Sequence, residues 1–237
     1  MNAELEITPD AIVFAKIGPF AINATLVFTW VVMAILVIGS WLITRKLSTG
    51  ENVPRWQNLL ETIVSYIRKQ VREMTQQNTD KYLPFLATLF LYISVSNLLS
   101  FVPYYRSPTG SLSTSAALAV CVFVAVPIFG VMKRGVLGYL KIYIQPSVFM
   151  LPFNIIGELS RTLALAVRLF GNVMSGAMII GVLLSIAPFI VPVIMQVLEL
   201  LIGQIQAYIF AALATIYIAS ATRTEQEKEK KGESNNG

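Results

Sequence analysis

The chain has 237 residues, of which 55% are hydrophobic and 13% charged, with a formal net charge of +5. That balance exceeds what a water-soluble core needs and matches a polytopic membrane protein, so the positive charge is read as membrane topology and nucleic-acid binding is set aside. With no histidine and a single cysteine, Cys121, neither a disulfide, a thiolate metal site nor a histidine relay is available, and burial inside a spanning helix is the expectation for Cys121.

In chain order, residues 1–24 are acidic and lack the basic region and small-residue cleavage site of a signal peptide, so they read as an external N-terminus ahead of a retained first span. Residues 25–44 form a charge-free run long enough to cross about 30 Å of hydrocarbon. Residues 54–76 then place Trp56, Leu59, Leu60, Ile63, Val64, Ile67, Val71 and Met74 on one stripe with the charges mostly off it, the pattern of an amphipathic helix lying on the membrane surface. Such a helix either docks a partner or serves as an anchor. A second span follows over 82–105 and a shorter third over 116–132, where Lys133 and Arg134 end the apolar run.

The apolar region 145–222 is interrupted only by Glu158, Arg161, Arg168 and Glu199, and prolines 188 and 192 divide it into long helices over 147–187 and 190–222. At 1.5 Å per residue each is about 50 Å or more, so both are expected to tilt strongly or to run beyond the hydrocarbon. The tail 223–237 reads as solvated. Basic residues gather at Arg45-Lys46, Arg55 to Arg72, Lys133 to Lys141 and after Arg223, so five crossings put the N-terminus outside and the C-terminus in the cytoplasm. The fold class is therefore all-α, with five membrane-crossing helices, one interfacial helix, and the last two helices long and tilted.

The chemistry is concentrated on that last pair. Asn154, Glu158, Arg161, Leu165, Arg168, Asn172 and Ser175 recur at steps of three and four, which puts six polar residues on one face of a spanning helix. An arginine at a helix centre costs about 2.5 to 3.5 kcal/mol on insertion scales, so such groups face protein or water. Glu158 and Arg161 can pair with each other. Arg168 has no anion one turn away, so its partner lies on another helix or another chain. On the last helix Gln196, Glu199, Gly203 and Gln206 share a face, and a permanent Arg168–Glu199 bridge is the bland reading of the two charges. Gly171, Ser175, Gly176, Ala177 and Gly181 keep one side of the fourth spanning helix thin, suited to close approach by another backbone.

RLFGN at 168–172 followed by VMSG, then QIQAYIFAALATIYI on the last helix, resembles subunit a of the rotary F-type ATP synthases, and the likeness runs over almost the whole chain. The segments ITPDAIVF, INAT and SWLITRKL are similar to the alternate, N-type branch, where sodium coupling has been proposed, so the resemblance leaves H+ and Na+ both open. It implies a non-catalytic, ion-translocating stator subunit of the inner membrane, with two aqueous half-channels and no nucleotide site, cofactor or metal. Its implied partners are the ring of c subunits, the b subunits of the peripheral stalk, other ATP synthase subunits and the bilayer. Arg168 matches the arginine that faces the ring carboxylates. Asn172 and Gln206 match polar residues beside it, Glu199 takes the role of half-channel relay, and Glu158 and Arg161 belong to the polar stripe on the cytoplasmic side. Many members carry a glutamate where this chain has Ala177, so here the carboxylate stands on the last helix. The alternative from another class is a secondary transporter binding an anion at Arg168, which calls for internal repeats with broken helices that this sequence lacks.

Overall fold

The computed structural model describes residues 13–17, 20–45, 55–75, 81–102, 105–144, 149–186 and 190–222. Two short strands, β1 (Val13–Ile17) and β2 (Phe20–Asn23), pair antiparallel with Ile17 opposite Phe20. Six helices follow: α1 (Ala24–Thr44), α2 (Arg55–Thr75), α3 (Leu83–Leu98), α4 (Leu112–Ile144), α5 (Met150–Ile186) and α6 (Ile190–Thr222). The hairpin is an addition to the all-α expectation: the alternation in VFAKI and FAIN is too short to stand out beside the helix signals. Residues 1–12 and the expected solvated tail 223–237 lie outside the described residues.

Five helices, all but α2, are long and apolar enough to cross a membrane, and the protein is a multi-pass membrane protein. Their surfaces show it. Trp30, Val37, Trp41 and Leu42 on α1 are more than half exposed, which is unfavourable in water and natural against lipid tails. The buried core runs between α3, α4, α5 and α6 through Leu86, Ile93, Val122, Leu165, Leu169, Phe210, Ala214 and Ile218. Small residues on α6 let it pack closely at the centre.

Amphipathic α2 lies beside this bundle. Ile67 and Val71 are buried and Ile63 and Met74 half-buried, as the stripe requires, whereas Val64 is exposed; the side chains of Trp56, Leu59 and Leu60 lie outside the described set. Arg68, Lys69, Arg72 and Glu73 point outward. The hydroxyl of Tyr208 on α6 donates to Gln70 Oε1 at 2.9 Å and ties α2 to the last helix.

Helix α4 departs from the sequence reading in two ways. Its helical course does not stop at Lys133-Arg134 but resumes after a single non-helical residue, Gly135, at φ 75° and ψ 165°, a conformation open essentially to glycine alone. The break sends the following segment back onto the bundle, where Tyr139 is buried against Gly130: a Cβ at Gly130 would lie 2.6 Å from the Tyr139 ring. Cys121, expected inside, is exposed. In a membrane an apolar thiol gains little by facing protein rather than lipid, so the preference of cysteine for a buried site in water does not apply.

Between α3 and α4 the chain turns through two 3-10 segments, Leu99–Phe101 and Pro108–Gly110. Residues Ser107 to Ser111 are all buried. Irregular backbone at this depth needs internal partners. Ser107 and Thr109 hydroxyls bond to each other at 2.7 Å, and Ser115 Oγ donates to the Thr109 carbonyl at 2.8 Å.

Candidate functional site

Helices α5 and α6 pack against each other and carry the sequence-predicted residues; the fold puts Asn154, Glu158 and Arg161 in one cavity, Asn172 and Glu199 in another, and Arg168 and Gln206 in neither. At the end where α5 begins, a cleft of about 420 Å³ lies between α4, α5 and α6, with Asn154, Glu158, Arg161 and Thr162 on one wall and Tyr139 and Tyr217 on others. The Arg161 guanidinium sits over the Tyr217 ring, 5.6 Å from its centroid, a cation–π contact that holds the arginine at the cleft's edge. Glu158 is half-buried in the same wall.

Further along α5 a much smaller cavity of about 20 Å³ is enclosed by the end of α3, α5 and α6; Asn97, Ser100, Asn172, Gln196, Glu199 and Gly203 line it. That volume suffices for about one water molecule. Glu199 and Asn172, assigned to different helices by the sequence, meet here. The small-residue side of α5 explains how. A Cβ at Gly176 would lie 2.5 Å from the Glu199 carboxyl, so the absence of a side chain at 176 makes the berth for that carboxylate. The thin side was expected to admit another backbone, and within this chain it admits a side chain instead; a Cβ at Gly171 or Gly181 meets nothing within 4 Å among the described residues.

Arg168 stands between the two cavities, about 10 Å along the helix from Arg161 and about 6 Å from Asn172. It is exposed, while Leu165 and Leu169 beside it are buried. Among the described residues it forms no ion pair, so the permanent bridge to Glu199 is absent and the arginine opens onto the outer surface of α5. That surface is broad, for along the spanning stretch of α5 only Leu165, Ala166 and Leu169 are buried. Gln206 is buried, and its Nε2 has no hydrogen-bond partner among the described residues.

Sequence reasoning placed Gln196 and Gly203 on one face of the last helix but missed Ser94, Asn97, Ser100 and Gln204, with which they fasten α6 to α3 beside the small cavity. Ser94 Oγ donates to Gln204 Oε1 at 2.5 Å, and Gln204 Nε2 returns a bond to the Ser94 carbonyl at 3.0 Å. Asn97 Nδ2 donates to the Gly203 carbonyl at 2.8 Å, and Gln196 Nε2 to the Ser100 carbonyl at 3.3 Å. Thr109 Oγ1 donates to Asn97 Oδ1 at 3.3 Å, which links the buried 3-10 segment to the same seam. No spacing rule joins residues about 100 positions apart, so only the lone polar letters in apolar runs could have flagged them.

No group of three or more metal-ligating side chains occurs among the described residues. The arrangement defines a polytopic helical membrane protein with ionisable groups on its spanning helices and Arg161 and Arg168 exposed along α5. The family model for the ATP synthase A chain matches residues 26–219, and the chain belongs to that family. It is 60% identical over 222 residues, 94% of its own length and 95% of the relative's, to ATP synthase subunit a 2 of Acaryochloris marina. It is 58% identical to ATP synthase subunit a of Albidiferax ferrireducens over 97% of its own length and 99% of the relative's, and 56% identical to ATP synthase subunit a 1 of Chlorobaculum parvum over 94% and 99%. All three relatives carry the ATP synthase name, and the transporter reading finds no support.

Proposed function

We propose that this chain is the ion-conducting stator subunit of a rotary ATP synthase, in which Arg168 separates two aqueous half-channels and meets the ion-binding carboxylates of a turning c-ring. The observation that carries the reading is the placement of one exposed arginine between two cavities on the longest helix, on a face that this chain leaves uncovered.

The chemistry follows from the side chain. A guanidinium does not deprotonate in a protein, so Arg168 remains a cation whatever its surroundings. A ring carboxylate arriving at Arg168 is stabilised as an anion and releases its ion into one cavity; on leaving it takes up an ion from the other. The fixed positive charge also bars a direct passage of cations between the cavities. The 420 Å³ cleft, at the end of α5 that follows the basic stretch Lys133 to Lys141 in the chain, is the cytoplasmic half-channel, with Glu158, Asn154 and Arg161 in its wall. Glu199 in the small cavity is the relay of the outer half-channel, with Asn172 in the same cavity and Gln206, buried further along α6, as uncharged polar support. The N-terminus lies outside and the C-terminus in the cytoplasm of an inner membrane. The partners are other ATP synthase subunits, among them the c-ring along α5 and the peripheral-stalk b subunits, and the ion carried is a proton or a sodium ion.

The test is ion uptake and passive leak in vesicles reconstituted with the whole complex. Arg168→Ala is expected to abolish ATP-driven uptake and ion-driven synthesis while the complex still assembles. Arg168→Lys is expected to fail as well, because a desolvated lysine loses its proton. Robust coupled uptake by Arg168→Ala would sink the mechanism.

A further inference from the structure

The polar groups that join α3 to α6 do more than hold two helices together, because their positions bracket Glu199. Gln196 lies one turn before it and Gly203 and Gln204 one turn after, each bonded to α3: Gln196 to Ser100, Gly203 to Asn97 and Gln204 twice to Ser94. Helices α3 and α6 run antiparallel, so these bonds form a ladder along the seam. Such a ladder resists two motions of α6: rotation about its own axis and sliding along α3. Either would carry the Glu199 carboxyl away from Gly176, since that berth is one residue wide and is flanked by Asn172 and Val173.

The rungs are not equal. Gln196 contributes one long bond at 3.3 Å, and Asn97 bonds only backbone of α6. Gln204 contributes both a donor and an acceptor to the same residue, a two-point contact that fixes direction as well as distance. Its partner Ser94 stands on a spanning helix between Ile93 and Val95, where lipid offers neither group a substitute. From this geometry we propose that Gln204 is a positioning residue: its reciprocal pair with Ser94 sets the rotation of α6 that seats Glu199 against Gly176. The proposal rests on the reading of Glu199 as an ion-exchanging group only for its functional consequence, since the seating itself can be measured without ion flux.

The experiment replaces Cys121 by serine, introduces the pair Gly176→Cys and Glu199→Cys in the assembled complex, and follows disulfide formation with copper phenanthroline. The pair is expected to cross-link readily with Gln204 in place. Gln204→Met, which keeps length and loses both bonds, should slow it on the order of three- to tenfold, the factor that membrane hydrogen bonds of this kind are worth. Ser94→Ala should slow it less, and Ser94→Thr, which keeps the hydroxyl, should restore it. Tyr208→Phe, which removes the bond from α6 to α2, should leave the rate unchanged. Equal cross-linking with Gln204→Met, or equal slowing by Tyr208→Phe, overturns the positioning role. In the complex with native Glu199, Gln204→Met should also lower ion-driven synthesis. Slowed cross-linking with undiminished ion-driven synthesis keeps the positioning role and overturns the ion role of Glu199.

Discussion

At the scale of the residue, two contacts carry opposite expectations for substitution. Glu199 is half-buried against a glycine, and Glu199→Gln keeps the shape while removing the titrating group. Ion-driven ATP synthesis should fall markedly with the complex intact, and unchanged synthesis would reduce Glu199 to packing. Gly176→Ala attacks the same contact from the other side. The new methyl would meet the end of a flexible side chain, which can move, so assembly should survive. The carboxylate, however, has to leave its berth, and synthesis should fall without loss of the subunit from the purified complex. Arg161→Ala should be milder than any change at Arg168, because Arg161 already has a partner in the Tyr217 ring. Arg168 was the most legible residue of the site, since a cation with no anion one turn away in an apolar run announces that its partner lies elsewhere. Gln204 was silent in the sequence because its meaning depends on Ser94, a residue that only the folded chain brings within reach.

At the scale of the element, periodicity carried the reading as far as periodicity can. The step of three and four identified α5 as a polar-faced helix and α2 as a surface helix, and the five spanning helices followed from apolar length. What it could not supply was the direction each face takes. One stripe on α5 serves two different cavities, because the helix passes from one set of neighbours to another along its length. The break in α4 was equally hidden, for Gly135 among Lys133, Arg134 and Val136 reads as the end of a span rather than as a corner from which the helix resumes. Gly135→Ala tests that corner. It forces a side chain into a backbone region that costs about 1 to 3 kcal/mol, so the folded-back segment should lose its seat. Limited proteolysis between residues 135 and 144 should then accelerate, and Gly130→Ala, which displaces the Tyr139 ring, should give the same pattern with the corner intact.

At the scale of the whole molecule, composition alone placed the chain in a membrane, and the family likeness followed from RLFGN on a long helix. The chain should purify with a multi-subunit complex bearing an ATP-hydrolysing head, and isolation as an autonomous transporter would contradict the proposed function.

The nearly bare flank of α5 has a further consequence, which concerns the life of the chain before it joins that complex. Only Leu165, Ala166 and Leu169 of the spanning stretch are buried, and Arg161 and Arg168 are exposed along it. In a bilayer without partners those two cations would have to draw water and headgroups inward, at a cost of a few kcal/mol each. An orphaned copy is therefore a defect in the membrane that holds it, and a recognisable one. Newly inserted chains should be short-lived until their partners cover them, and should rank among the late arrivals in assembly. Pulse-chase measurement of the chain expressed alone and with its partner subunits should show faster turnover of the lone form, and Arg168→Leu should lengthen the lone chain's half-life even as it destroys the function of the assembled one.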